Sequence, residues 1–374
     1  MAIKNEYNPK IASHPGRMLL EEIKSRDMTQ KVFAERTGLT EKHLSEIVNG
    51  KAAITPEVAL KIEAALGTSA SLWLRLQMQY DEVKARVKEE EYLQEDIELL
   101  GLFPYNDIRK VFSDLPNTRV QRERVISLRQ FFCYSSLKLF SEKIHEQGFT
   151  IAAPAFRTTG IQEGKRPDEY ALASWIRIGE LKAQKREINK ALDCERLEKL
   201  AADIAGISAE KDLCEAWEII RRRLNECGVK TILVPYLPKT YVNGAVYWEG
   251  NTPVIILNAR SSYWDTFIFT LLHEIGHIIK HGKNYRSVSF DKSRVVIDQE
   301  DARELEADEY AEQSLIDKDV FATFASDFVE NRQTIDGFAA AYGIDRGIVA
   351  ARLARKGILR WQDCVRIRRQ LVIS

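Results

Sequence analysis

The chain has 374 residues, which is too long for one small domain and indicates two or three. Its 55 basic and 55 acidic side chains cancel, so an overall basic coat for nucleic acid is excluded, and any such binding must come from a local patch. Five cysteines without C-x-x-C spacing exclude a disulfide framework and a cysteine zinc site.

The chain shows no segment that would target it to a membrane. Its first residues lack the apolar run of a secretory signal. The most apolar stretch, FIFTLLHEIGHII, is too short and too polar to span a bilayer. We therefore expect a soluble protein of the reducing cytoplasm.

The first 90 residues have the pattern of a compact helical domain. A short helix is predicted over 29–36, with Val32 and Phe33 facing inward, and Gly38 is expected to end it in the left-handed conformation. Thr40 is expected to cap a second helix, TEKHLSEIV, and further helices follow in PEVALKIEAAL and in the segment after it. Two short helices joined by a tight turn predict a helix-turn-helix, although the spacing alone also fits a plain helical bundle.

In a helix-turn-helix the second helix enters the major groove with its polar side chains outward. Gln30 at the start of the first helix, and Asn49 and Lys51 after the second helix, are suited to phosphate contacts. From His14 to Asp81 the sequence resembles the HigA-type antitoxins, a branch of the XRE/Cro-like repressors. The resemblance rests on HPG, the Thr-Gln pair, the NGK and ALGTS turns and the final W-L-x-L-Q.

That resemblance implies operator DNA as a partner. Carried over by position, it places base contacts on Glu41, Lys42, His43 and Glu46. Residues 1–80 hold 11 basic and 9 acidic side chains, a net charge of only +2. Electrostatic attraction per monomer is therefore small, and we expect a homodimer on a two-fold site.

Residues 91–228 are charged and mostly helical in period, and we interpret them as a connecting region without evident chemistry. At Gly228 the pattern changes to three strand-like runs, VKTILVPYL, NGAVYWEG and PVIILNA. A strongly apolar helix is predicted from about 262 to 281, a loop or irregular strand over 283–298, and a carboxylate-rich helix from about 300 to 315.

The apolar helix contains His273-Glu274-Ile275-Gly276-His277. Histidines four residues apart lie on one helix face and can bind one zinc ion, while Glu274 can act as general base toward water. A buried structural pair of histidines is the alternative.

A catalytic zinc usually takes three protein ligands. Glu304 and Asp308 share a helix face, and Glu-x-x-x-Asp after HExxH resembles the gluzincin peptidases, in which the Glu binds zinc and the Asp steadies a ligand histidine. Glu300 is a rival third ligand and Glu306 a poorer one. His281 lacks the spacing of a third histidine ligand, so we expect it at the helix end.

From about Tyr170 onward the chain resembles the ImmA/IrrE family of zinc metallopeptidases. The resemblance rests on YALASWIRIGE, GVKTILVPYLPKTYVNGAVYW, PVIILNAR, DTFIFTLLHEIGHIIKHG, ELEADEYA and GIDRGIVAARL. It implies a bent-sheet zincin fold and cleavage of a repressor protein. We expect Ala245–Glu249 to form the edge strand that binds an extended peptide. Tyr285 and Tyr310 are weak candidates for the oxyanion donor.

The C-terminal tail, residues 331–374, is predicted to be helical and basic. Seven of its residues between 352 and 370 are Lys or Arg, against one acid, Asp363. One interpretation of these charges is a second surface that binds nucleic acid or an acidic partner. The other is a helical cap on the peptidase domain whose basic face is solvated. We favour the cap because Ile348, Leu353, Ile358 and Trp361 are expected to pack.

The expected fold is multidomain: an all-α Cro-like helix-turn-helix domain over 1–90, a helical middle region over 91–228, an α+β zincin-like metallopeptidase domain over 229–330 and the tail. The expected function is a DNA-binding regulator, similar to HigA antitoxins and autorepressors, whose zinc peptidase domain cleaves a regulatory protein. The alternative is a non-cleaving antitoxin whose zincin fold is a sensor or a platform for a HigB-like toxin. In a third interpretation the protein is an enzyme, and its DNA-binding domain serves mainly to bring the peptidase to a substrate that is bound at the operator.

Overall fold

The structure is a computed structural model that describes residues 13–147, 167–210, 212–258, 263–284, 286–290, 302–328 and 332–371. The chain divides into two compact units, Met1–Glu98 and Leu99–Ser374. In the described residues, no helix is both long enough and apolar enough to cross a bilayer.

Within the residues of the first unit that the structure describes, there are five helices: α1 (Pro15–Ser25), α2 (Gln30–Thr37), α3 (Glu41–Val48), α4 (Pro56–Leu66) and α5 (Ala70–Leu99). They enclose a core in which Leu19, Phe33, Leu44, Ile62 and Trp73 are buried.

Two details of the first unit differ from the sequence prediction. Val32 is 38% exposed, because the buried face of α2 runs through Phe33, Ala34 and Thr37. The helix α5 continues past the predicted end near residue 87 to Leu99, since no glycine or proline interrupts it.

The second unit combines helices with one small sheet. Its helices before the sheet are α6 (Tyr105–Val111), α7 (Gln121–Phe132), α8 (Leu137–Gln147), α9 (Glu169–Gln184), α10 (Cys194–Glu210) and α11 (Leu213–Glu226). Then come β1 (Lys230–Val234), β2 (Val242–Glu249), β3 (Thr252–Asn258), α12 (Trp264–His281), β4 (Ser287–Phe290), α13 (Ala302–Leu315), α14 (Lys318–Ser326), α15 (Arg332–Tyr342), α16 (Arg346–Arg355) and α17 (Trp361–Val365). The expected class, a multidomain and mostly helical protein with an α+β part, is confirmed.

The four strands lie in the order β1-β3-β2-β4. β1 and β3 are parallel, whereas β2 is antiparallel to both of its neighbours. The prediction that Ala245–Glu249 is an edge is therefore wrong for its first residues, because Ala245 pairs with Val288 and Val246 with Ser287. The edges of the sheet are β1 and β4, and β4 occupies part of the segment predicted as a loop or irregular strand.

Each face of the sheet is covered by a helix. Successive strand residues point to opposite faces, so Ile256 and Leu257 of β3 contact different layers. A Cβ on Gly179 of α9 would lie 2.3 Å from Ile256 Cδ1, which means that glycine lets α9 approach β3 closely. Leu257 packs on the other face, in the core that contains α12. The predicted connecting region thus supplies one of the layers around the sheet.

The tail packs onto the helices that follow the sheet. Ile348 and Leu353 are buried as expected, but Ile358 and Trp361 are 39% and 50% exposed, so packing of those two was wrongly predicted. Arg368 donates two hydrogen bonds of 2.8 Å to the carboxylate of Asp265 in the first turn of α12. The tail is a cap that is attached to α12, and part of its positive charge is used in that attachment.

Candidate functional site

The helix-turn-helix forms because each end of its helices has a capping group. Thr29 accepts a hydrogen bond from Val32 N at the start of α2, and Gly38 ends that helix in the left-handed conformation with φ 64°. Thr40 accepts a hydrogen bond from His43 N at the start of α3. These caps satisfy backbone groups that the helices leave unpaired. The caps at Gly38 and Thr40 are those that the sequence predicts, whereas Thr29 was predicted as the first residue of the helix.

The residues predicted to contact DNA lie on the outer face of this unit. The buried face of α3 consists of Leu44, Ile47 and Val48, so the opposite face of this helix points toward solvent. The exposed side chains are Gln30, Glu41, Lys42, Asn49 and Lys51, whereas His43 and Glu46 are half-buried. His43 Nδ1 lies 3.8 Å from a carboxylate oxygen of Glu46, so these two predicted base contacts also contact each other.

The HPG segment has a structural role that the sequence prediction missed. His14 Nδ1 accepts a hydrogen bond from Gly16 N and caps α1. A Cβ on Gly16 would lie 1.9 Å from the carbonyl oxygen of Ile47, so only glycine lets α1 approach the end of α3 this closely. The ring of His14 also packs edge-on against Tyr80, with centroids 4.7 Å apart. The segment therefore braces the end of the predicted recognition helix.

In the second unit, α12 and α13 bring three metal-ligating side chains together. His273 and His277 are buried on α12, one helical turn apart, and Glu304 lies on α13. The ligand atoms of these three residues all lie within 4.8 Å of one another. Two imidazoles and one carboxylate are the donor set of many catalytic zinc sites, so these residues fit a metal ion.

Asp308 orients the first of these ligands. His273 Nδ1 lies 2.8 Å from Asp308 Oδ1, and because a carboxylate can only accept, Nδ1 carries the hydrogen. This leaves Nε2 of His273 facing Glu304, at 3.1 Å, and His277 Nε2, at 3.0 Å. A partner on Nδ1 that directs Nε2 toward a metal is the usual arrangement around ligating histidines.

The charges in this cluster act strongly on one another. Burial opposes the charged form of His273, but hydrogen bonds to Asp308 and Glu304 outweigh it and raise the pKa of His273 to about 10. Burial lowers the pKa of His277. Burial would raise the pKa of Glu304, but hydrogen bonds from the two histidines hold it far below its ordinary range. A hydrogen on His273 Nε2 would therefore lie within hydrogen-bonding distance of both Glu304 and His277.

Glu274 lies next to these ligands and is fully buried. A glycine on the neighbouring strand makes room for it: a Cβ on Gly244 would lie 3.0 Å from Glu274 Oε1 and 2.7 Å from Thr270 Cγ2. Nothing in the sequence alone marks the contact of Gly244 with α12.

A second glycine controls how closely the two ligand-bearing helices approach. A Cβ on Gly276 would lie 3.3 Å from Ala307 Cα and 3.2 Å from Tyr310 Cδ1. Gly276 stands inside the HExxH segment, so the absence of its side chain lets α13 lie against α12 between the two histidines. This contact carries Glu304 and Asp308 to the cluster.

The remaining predicted candidates lie outside the three-ligand cluster. His281 Nε2 donates to the carbonyl of Arg303, which agrees with the predicted role at the helix end, and His281 Nδ1 lies 3.7 Å from Glu306. Tyr310 packs against Gly276, and its role as an oxyanion donor stays a prediction. Glu300 and Tyr285 lie outside the described residues.

Comparisons with known proteins agree with both parts of this arrangement. Residues 19–73 match the helix-turn-helix family HTH_3, and residues 226–354 match Peptidase_M78, described as the IrrE N-terminal-like domain. The resemblance to XRE-type repressors and to the ImmA/IrrE family is thereby confirmed.

Individual relatives match over a short part of the chain. The uncharacterized HTH-type transcriptional regulator YddM of Escherichia coli (strain K12) is 34% identical over 70 residues, which is 18% of this chain and 74% of that protein. Virulence-associated protein A of Dichelobacter nodosus is 45% identical over 69 residues, which is 18% and 68% of the two chains. A solved structure, an addiction module antidote protein of a HigA family from Coxiella burnetii, is 30% identical and covers 23% of this chain and 94% of its own, with a TM-score of 0.22. The chain therefore belongs to the HTH_3 helix-turn-helix family in its N-terminal domain and carries a Peptidase_M78 domain, the IrrE N-terminal-like domain, behind it.

Proposed function

We propose that the protein is a DNA-binding transcriptional regulator with a zinc-dependent peptidase domain that cleaves a regulatory protein, such as a repressor. The observation that carries the proposal is the convergence of His273, His277 and Glu304 beside Glu274. A structural histidine pair would need neither the carboxylate from a second helix nor the hydrogen bond from Asp308. This arrangement supports a peptidase site in which three residues bind the metal and Glu274 is the general base.

The chemistry is hydrolysis of a peptide bond. When bound, a zinc ion acts as a Lewis acid toward the scissile carbonyl and toward water. Glu274 accepts the proton of the attacking water and donates it to the leaving amine, so it acts first as general base and then as general acid. Asp308 keeps the Nδ1 hydrogen on His273 and holds the imidazole in place. The low exposure of both histidines and of Glu274 excludes bulk water from their contacts.

The N-terminal domain supplies the regulatory half of the proposal. We propose that α3 lies in the major groove, with Glu41, Lys42, His43 and Glu46 at base edges and Gln30, Asn49 and Lys51 at phosphates. The exposure of five of these residues supports this, as does the name of the relative YddM as a transcriptional regulator. The protein would act in the cytoplasm, as a homodimer on a two-fold operator.

An alternative is an antitoxin and autorepressor that does not cleave. It rests on the resemblance of residues 14–81 to the HigA-type antitoxins. In that case the M78 domain would be a sensor or a surface for a HigB-like toxin. A toxin gene beside the gene of this protein would support the alternative. A neighbouring repressor gene without a toxin gene would instead support a peptidase that is brought to the operator by its DNA-binding domain.

The test is a cleavage assay with proteins encoded beside this gene. The full chain is loaded with zinc and incubated with each purified neighbour, with and without operator DNA, and new termini are identified by mass spectrometry. We expect one neighbour to be cut at a defined bond and to remain intact with a chelator. A neighbour that binds tightly and stays intact under all conditions would favour the non-cleaving antitoxin.

A further inference from the structure

One cationic side chain that the proposed reaction does not use lies beside the metal-ligand cluster. Arg355, the last residue of α16, stacks its guanidinium on the ring of Phe269, 4.2 Å from the centroid. Phe269, His273 and His277 are spaced four residues apart on α12 and therefore share one face of that helix. The ring of Phe269 lies 6.4 Å from that of His273. Arg355 thus flanks the ligands on the face that bears them, one turn toward the start of α12.

Neighbouring arginines of the tail have protein partners of their own. Arg368 forms a bidentate pair with Asp265, and Arg352, which is 5% exposed, donates to the carbonyl of Ile316 at the end of α13. Among the residues that the structure describes, the guanidinium of Arg355 has no hydrogen bond or ion pair, and its contact is the aromatic ring below it. Part of the Arg355 residue is exposed to solvent, although protein also surrounds its guanidinium.

The acids around Arg355 are each paired with another group. Each of the three that act on it electrostatically faces another cation or histidine: Asp308 with His273, Asp265 with Arg368, and Glu312 with Arg352. Burial lowers the pKa of Arg355, while these acids raise it. Arg355 is therefore a charged donor group in the wall beside the ligands, with protein around it and without a direct counter-ion in the described residues.

We propose that Arg355 binds a carboxylate of the peptide substrate next to the scissile bond, so that the site selects an acidic side chain or a free C-terminal carboxylate there. A guanidinium that stacks on a ring keeps its in-plane N–H groups for a bidentate pair with a carboxylate. Arg352 holds α16 against α13, and this contact fixes Arg355 relative to Glu304. The inference rests on the proposed function, because it names the substrate class of the same site.

The experiment measures binding rather than turnover. The full chain with Glu274→Gln, loaded with zinc, is titrated calorimetrically with matched peptide hydroxamates. One carries glutamate beside the zinc-binding group, a second carries glutamine, and a third carries glutamine with a free C-terminal carboxylate. We expect at least one carboxylate peptide to bind about tenfold more tightly than the neutral one. The pair that shows the preference identifies whether the side chain or the C-terminus supplies the carboxylate.

Variants connect that preference to Arg355. Arg355→Ala should abolish the preference, and Arg355→Lys should keep part of it, because the charge remains but the bidentate geometry is lost. Lys356→Ala is the matched control, since it removes the same charge from the adjacent exposed residue, and it should leave the preference unchanged. Zinc content and circular dichroism of each variant verify that the site is folded.

The outcomes separate this inference from the proposed function. If the wild-type chain hydrolyses no peptide but the preference exists and disappears with Arg355→Ala, the peptidase function fails and the carboxylate site remains. If peptides are hydrolysed without any charge preference, or if Arg355→Ala weakens acidic and neutral hydroxamates equally, the inference is wrong. Absence of hydroxamate binding to the zinc-loaded protein also contradicts it.

Discussion

Asp308 accepts a hydrogen bond of 2.8 Å from Nδ1 of His273, and this bond links the two helices that carry the metal-ligand cluster. It fixes the tautomer of His273, because the hydrogen on Nδ1 leaves the lone pair of the neutral ring on Nε2. The same bond holds α13 in the position that brings Glu304 to the histidines. The ligands and their orientation are therefore properties of one helix–helix contact.

This contact predicts a graded loss of zinc. Glu304→Gln removes a ligand charge and should leave little zinc in the protein, whereas Asp308→Ala should lower affinity by about 10–100-fold, the usual range for a residue that orients a ligand. Glu309→Gln, an exposed carboxylate on the same helix, serves as the control and should keep full zinc content. Metal analysis after dialysis against graded chelator measures the order. If Glu300→Gln strips the metal while Glu304→Gln does not, Glu304 is not the third ligand.

Zinc binding should also release protons. The pKa of about 10 for His273 means that the metal-free ring is protonated at pH 7, and its Nε2 must lose that proton to bind a metal. About one proton per zinc should therefore leave the protein at pH 7, and zinc affinity should rise as the pH rises toward 10. Calorimetry in buffers of different ionisation enthalpy counts the protons. A binding heat that does not depend on the buffer would contradict the coupling among His273, Asp308 and Glu304.

Gly244 provides a test of packing around the general base. In Gly244→Ala the new Cβ would meet Thr270 Cγ2 at 2.7 Å and Glu274 Oε1 at 3.0 Å, so the side chain of Thr270 or the backbone around it must shift. Overpacking of this kind costs about 1–3 kcal/mol, and zinc should stay bound because the three ligands are not displaced directly. Urea unfolding of the full chain measures the loss. Gly337→Ala is the control, since nothing lies within 4 Å of its Cβ, and equal stability of both variants would refute the close approach at Gly244.

Much of this site could be predicted because its chemistry is local in sequence. His273, Glu274 and His277 stand within one helical turn, and the four-residue spacing of Glu304 and Asp308 is visible on the next helix. The close contacts at Gly244 and Gly276 could not be predicted, because they depend on which backbone approaches each glycine. The wrong edge strand has the same cause: the antiparallel pairing of β4 with β2 is a contact distant in sequence. The inward orientation predicted for Val32 was wrong because α2 has only eight residues, and so few positions define its buried face poorly.

The DNA interface leads to a prediction for the first unit. Lys42→Ala combined with His43→Ala should weaken binding to the protein's own promoter by about 1–3 kcal/mol for each specific base contact, without unfolding the domain. Lys42 is exposed and His43 is half-buried beside the buried face of α3. Lys24→Ala, an exposed lysine in the last turn of α1, is the control for net charge. Gel-shift titration at fixed salt measures the affinity, and equal affinity of the double variant and wild type would refute the recognition-helix assignment.

The central claim is that the buried Glu274 serves catalysis rather than metal binding, and the most direct test is cleavage by Glu274→Gln. This change removes the group that accepts the proton from water but leaves His273, His277 and Glu304 in place. We predict that the variant keeps its zinc and its operator binding and that its rate of cleaving the regulatory substrate falls by about 10²–10⁴-fold, as is typical for loss of a general base. If wild type and Glu274→Gln regulate the promoter identically and neither cuts any neighbouring gene product, the peptidase account is contradicted.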